Sequence, residues 1–96
     1  MKFSITSRHF KSWPELQEAV KVASDNIEKL FPGITSTEVV LSEEHGKEVE
    51  FIVHIQNHVI NAKHSASDFD KSISAASEKV LSQLKKIKEK QTDHRR

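Results

Sequence analysis

The sequence contains no cysteine, only two glycines and two prolines in 96 residues, and 6% aromatic residues. Without cysteine there is no disulfide framework, no thiolate zinc site and no cysteine nucleophile, and a reducing compartment suits the chain. With only Gly33 and Gly46 available, no glycine-rich loop can cradle a phosphate. The longest apolar runs, Val39-Val40-Leu41 and Phe51-Ile52-Val53, fall far short of a membrane span, and no signal-peptide core follows Met1-Lys2. A cytoplasmic protein with no membrane partner is expected. Catalysis finds no foothold either. The serines between 65 and 82 suit cap and solvent-facing positions, and Asp68 and Asp70 suit a helix start without being paired acids.

What the chain does have is charge, unevenly placed. Positions 85–96 hold Lys85, Lys86, Lys88, Lys90, Arg95 and Arg96 against Glu89 and Asp93, within a chain of net charge +1. Residues 1–50 carry six Lys/Arg and nine Asp/Glu, net −3, while residues 51–96 carry nine and five, net +4. Such asymmetry points to an oriented encounter with a polyanion. Glu38, Glu43, Glu44, Glu48 and Glu50 gather the negative charge around a hairpin. The length fits one domain, residues 1–90, with one modest core, followed by a flexible basic tail at 91–96.

Hydropathy periods divide the domain. "KFSIT" alternates as a first strand. "SWPE" sets Ser12 three residues before Glu15 with Pro14 between, predicting a capping box for a helix over roughly 13–31. Leu16, Val20, Ala23, Ile27 and Leu30 form its apolar stripe, and Phe31-Pro32-Gly33 ends it. "TEVVLS" (37–42) reads as a strand covered more fully than its neighbours, with a turn around Gly46. Val49, Phe51, Val53 and Ile55 then alternate with Glu50, Ile52, His54 and Gln56. A turn at Asn57-His58 would set Ile55 opposite Ile60, Val53 opposite Ala62 and Phe51 opposite His64. Ser67-Asp68-Phe69-Asp70 reads as a second capping box, opening a long helix with a stripe of Phe69, Ile73, Ala76, Val80, Leu84 and Ile87. Lys71, Lys79, Lys86 and Lys90 fall away from that stripe, with Lys85 at its margin.

The order β-α-β-β-β-α predicts an α+β fold, a four-stranded sheet with both helices packed on one face. With "MKFSIT" at the start, "HIQNHVINAKHSASDFDKSISAASEKVLSQLKKIKEK" from His54 to Lys90, and the total length, the chain resembles the short form of the bacterial ribosome hibernation promoting factor family. The same family includes ribosome-associated inhibitors and sigma-factor modulation proteins. The resemblance implies binding in the messenger and transfer-RNA channel of the small ribosomal subunit, which represses translation and protects idle ribosomes in stationary phase or stress. Basic residues on both helices of family members contact ribosomal RNA. By position, the RNA-binding candidates are Lys79, Lys85, Lys86, Lys88 and Lys90; Lys79, Lys85, Lys86 and Lys90 are expected to lead, with Lys88 and Lys71 behind them. The first helix departs from the pattern, with Ala23, Asp25 and Asn26 where many members carry lysine. Asp70 replaces a common tyrosine, and Ser74 a later acid. Long members add a dimerisation domain, which a chain ending at Arg96 is expected to lack.

On the residues alone, "KKIKEK" serves equally as a solvated helix end, where lysines suit the helix dipole. RNA binding through it would be electrostatic and salt-sensitive. A face of Ile52, His54, Gln56, Val59, Asn61 and Lys63 lacks the stacking aromatics of an RNA-recognition sheet. Phe3, Phe31, Phe51 and Phe69 read as core, Trp13 packs at the first helix start, and Phe10 is open to either role. No cofactor is implied. Nor is a metal, because His54 and His58 on a strand would stand roughly 13 Å apart. The acidic hairpin would contact a ribosomal protein's basic tail. A rival reading stays open, in which the first helix, acidic through Glu15, Glu18, Asp25 and Glu28, docks a basic partner as a protein-interaction module.

Overall fold

The computed structural model describes residues 2–93, with side chains up to Lys88. Strand β1 (Lys2–Arg8), helix α1 (Pro14–Leu30), strands β2 (Ile34–Glu43), β3 (Lys47–Ile55) and β4 (His58–Ala66), and helix α2 (Phe69–Asp93) follow in the expected order. The sheet runs β1-β2-β3-β4, with β1 parallel to β2 and the other pairs antiparallel. Helix α1 supplies the long crossover that a parallel pair requires.

One core lies between the sheet and the helices. Val49, Phe51, Val53 and Ile55 of β3 meet Val39 and Leu41 of β2 and Ile60 and Ala62 of β4. Leu16, Val20 and Ile27 of α1 cover this surface with Phe69, Ile73, Ala76, Val80 and Leu84 of α2. Phe51 and Phe69 are buried, while Phe3, Phe31 and Phe10 pack partly buried against the cluster. α2 lies over β3 and β4, and α1 sits beside α2 with a smaller footing on β2. In β2, Val39, Val40 and Leu41 are all buried, as the unbroken apolar run predicts.

The hairpin between β3 and β4 corrects the predicted register. Ile55 pairs with His58, Val53 with Ile60, Phe51 with Ala62 and Val49 with His64. The loop is Gln56-Asn57, with Gln56 in the left-handed region (φ +55°), so the chain turns one residue earlier than a turn at Asn57-His58 and each partner on β4 shifts by two. Two-residue loops are the favoured hairpin connection. A displacement of two preserves which side chains face the core, because the strand period is two. Half-buried His64 therefore stays on the predicted face but opposes Val49 instead of Phe51. At the β2–β3 turn, Gly46 has φ +136°, and a Cβ there would stand 2.6 Å from Ser65 Oγ, so both conformation and space require glycine.

The helix starts also differ from the capping boxes. Trp13 is the N-cap of α1 and makes no side-chain cap bond, while Ser12 Oγ accepts from Gln17 Nε2 at 2.9 Å. Pro14 still favours a helix start here, since its fixed φ suits the first turn and its missing N–H would have had no partner within the helix. In α2 the N-cap is Asp68, not Ser67: its Oδ1 accepts the Lys71 backbone N–H at 2.8 Å. Buried Ser72 donates its hydroxyl to the Lys47 carbonyl and ties α2 to the start of β3.

Candidate nucleic-acid interface

Helix α2 buries the stripe from Phe69 to Leu84, with Ile87 half-buried beyond it, and so its lysines face outward. Lys71, Lys79, Lys85, Lys86 and Lys88 are all exposed. Lys90 lies within α2, but its side chain is outside the described residues, as are Arg95 and Arg96 of the basic tail.

These lysines do not form one ridge. Lys79 lines an open groove with Asn61, Lys63 and His64 of β4, and its Nζ donates to the Lys63 carbonyl at 2.9 Å. Gln83, one turn on, donates to the Asn61 carbonyl at 3.4 Å. On another flank Lys88 lines a small cleft with Phe31, Pro32, Ile55 and Gln56. At about 100° per residue, Lys86 shares the flank of Lys79, and Lys85 turns toward that of Lys88. The helix therefore presents cations on two sides, with Lys71 apart at its first turn. Periodicity along α2 finds the lysines but not Lys63, which joins Lys79 only through the packing of α2 on the edge of the sheet. Lys63 Nζ stands 3.8 Å from Glu48 Oε2.

Lys79 is well placed to bind a phosphate. Its ammonium has three donors, and the Lys63 carbonyl takes one, steering the side chain while leaving two free. Less rotamer entropy then remains to be lost on contact.

Helix α1 offers little to a polyanion. Glu15, Glu18 and Asp25 are exposed and Glu28 is half-buried. Lys21 Nζ is bound to Asp25 Oδ1 at 2.8 Å, and that hydrogen bond, assisted by the neighbouring acids, holds its pKa above the ordinary lysine value. Lys29, in the last turn, is exposed.

Much of the hairpin's acidity is paired. Glu43 Oε2 lies 2.6 Å from Lys47 Nζ, Glu44 Oε1 lies 3.6 Å from His9 Nε2, and Glu48 faces Lys63. Glu38 and Glu50 lie on the sheet face opposite the helices, with Ile52, His54, Val59, Asn61 and Lys63; Gln56 is in the loop instead. His54 opposes Val59 on this face and His58 opposes Ile55 on the other, so the two rings do not converge. Among the described residues, no three His, Cys, Asp or Glu side chains come together to hold a metal. No described helix is long and apolar enough to cross a membrane.

Residues 3–92 match the family model for the sigma 54 modulation protein / S30EA ribosomal protein. Two solved structures share the fold. A ribosomal subunit interface protein from Coxiella burnetii aligns over 92% of this chain and 98% of its own, with TM-score 0.85 and 22% identity. The N-terminal domain of Thermus thermophilus Protein Y aligns over 91% and 99%, with TM-score 0.81 and 17% identity. A search of curated proteins gave no match.

Proposed function

The chain belongs to the sigma 54 modulation protein / S30EA ribosomal protein family, and we propose from that premise that it is a ribosome-associated translation inhibitor that binds the small subunit. The match over residues 3–92 carries this reading. The protein occupies the messenger and transfer-RNA channel and holds idle ribosomes in hibernation, in the cytoplasm. Its contacts are phosphates of ribosomal RNA. Lys79, Lys85, Lys86 and Lys90 make them first, with Lys88 and Lys71 behind. The exposed lysines on two flanks of α2 support contact with a folded RNA surface, and phosphate binding by lysine requires no sequence code. The acidic β2–β3 hairpin, with Glu38 and Glu50 outside any ion pair among the described residues, faces a basic segment of a ribosomal protein.

Sedimentation with ribosomal subunits across a salt series tests the proposal. Co-sedimentation with the small subunit that disappears as salt rises is the expected result. Protein that stays at the top of the gradient at low salt overturns it. A second reading draws on the pairing of Lys21 with Asp25, which leaves α1 an acidic surface for a basic protein partner. A pulldown separates the two: ribosomal subunits support the first, and one stoichiometric non-ribosomal protein the second.

A further inference from the structure

We infer that the cleft where the two helices begin is a binding site for an arginine side chain of a basic polypeptide segment. The cleft, about 280 Å³, is bounded by Trp13, Phe69, Glu15, Asp68, Asp70 and Lys47. Its wall is aromatic. Phe10 stacks on Phe69 with centroids 5.3 Å apart, and Trp13 stands edge-on to both, at 6.2 and 6.0 Å. Trp13 nevertheless keeps 44% of its surface exposed. An open indole is the best aromatic surface for a cation, and a guanidinium can lie flat on it while its edge donates to carboxylates.

The preference for a cation does not rest on the acidic residues alone. The Lys47 ammonium lies 5.9 Å over the Phe69 ring, so one cation of the protein already uses this wall. Glu43 answers the charge of Lys47 at 2.6 Å. That leaves Glu15 and Asp70, one from each helix start, with no ion pair or hydrogen bond to another side chain among the described residues. Asp68 gives Oδ1 to the Lys71 N–H, and its second oxygen remains available. Two helix dipoles would otherwise invite an anion here. A phosphate, however, would meet three carboxylates at the same rim. Arginine fits where lysine does not, because its planar fork engages the ring face and two acceptors together. This site is separate from Lys79, Lys85, Lys86 and Lys88 of α2 and does not depend on what they bind.

The chain has one tryptophan and no tyrosine, so the indole N–H resonance of Trp13 reports this cleft alone. The experiment titrates the full chain with a blocked Gly-Arg-Gly peptide, with Gly-Lys-Gly and inorganic phosphate run in parallel. The arginine peptide should shift the Trp13 resonance saturably and more tightly than the lysine peptide. A Glu15→Gln/Asp70→Asn double variant, with the remaining spectrum native, should weaken it roughly tenfold. Asp68 is left in place because it caps α2. The assignment is overturned by the absence of a saturable shift, by equal response to lysine, by unchanged affinity in the double variant, or by a response to phosphate in place of arginine.

Discussion

The two helices share one core and differ in almost everything outside it. Both lay an apolar stripe on the same sheet, yet α1 shows water a largely acidic surface with Lys21 neutralised by Asp25, and α2 shows lysine on two flanks. Burial dictates the inner face of an amphipathic helix and leaves the outer one free. The fold can therefore persist while the charge of one helix changes, and α1 and α2 can face different partners.

Breaking the shared base has the largest effect. Phe51 is fully buried in the cluster that both helices cover, and Phe51→Ala should cost about 3–5 kcal/mol, measured by denaturant unfolding. Removing the charge of α2 comes next. Lys85→Ala with Lys86→Ala should leave the fold intact and flatten the salt dependence of small-subunit binding by about two units of log–log slope; an unchanged slope would place both outside the interface. The unequal helix starts give a smaller contrast. Asp68→Ala removes a real cap and should cost about 1 kcal/mol, whereas Ser12→Ala, at a position that caps nothing, should cost no more than a few tenths. Within α1, buried Ser24 Oγ has no partner among the described residues. Ser24→Ala should raise stability by roughly 0.5–1 kcal/mol in the same unfolding measurement.

The last and smallest prediction concerns pH. The folded-state pKa of Lys21 is raised, so the small stabilisation from its pairing is complete below the ordinary value of 10.5 and is lost as pH rises through the raised one. Asp25→Asn should lower the Lys21 pKa toward that ordinary value, read by NMR titration of its side chain.

Element order, sheet layering and most of both apolar stripes follow from hydropathy periods, because the core imposes them; the exception is Leu30, which closes the predicted first stripe but is exposed, while Ser24 is buried. The strand face of His64 is equally legible, but its partner is not: the turn, with left-handed Gln56, falls one residue earlier, and alternation is blind to a slip of two. Ser12 and Ser67 have the composition of caps, yet both helices start one residue later, at Trp13, which makes no side-chain cap bond, and at Asp68, which does. At the candidate interface the lysines are readable one by one. Their division into two flanks, and the meeting of Lys63 with Lys79, depend on where α2 settles against β4, which no local pattern encodes.

Lys79 and Gln83 do one thing more. They occupy carbonyls of β4, an outermost strand whose backbone would otherwise template a strand from another molecule. β1, the other outermost strand, carries only Lys2 and Arg8 at its ends as deterrents. A sheet open at both edges can add copies without limit and grow into a fibre, whereas one closed on a single side can join only one neighbour before its free edges are used up. By occupying two carbonyls of β4, α2 leaves β1 as the more open edge of the sheet.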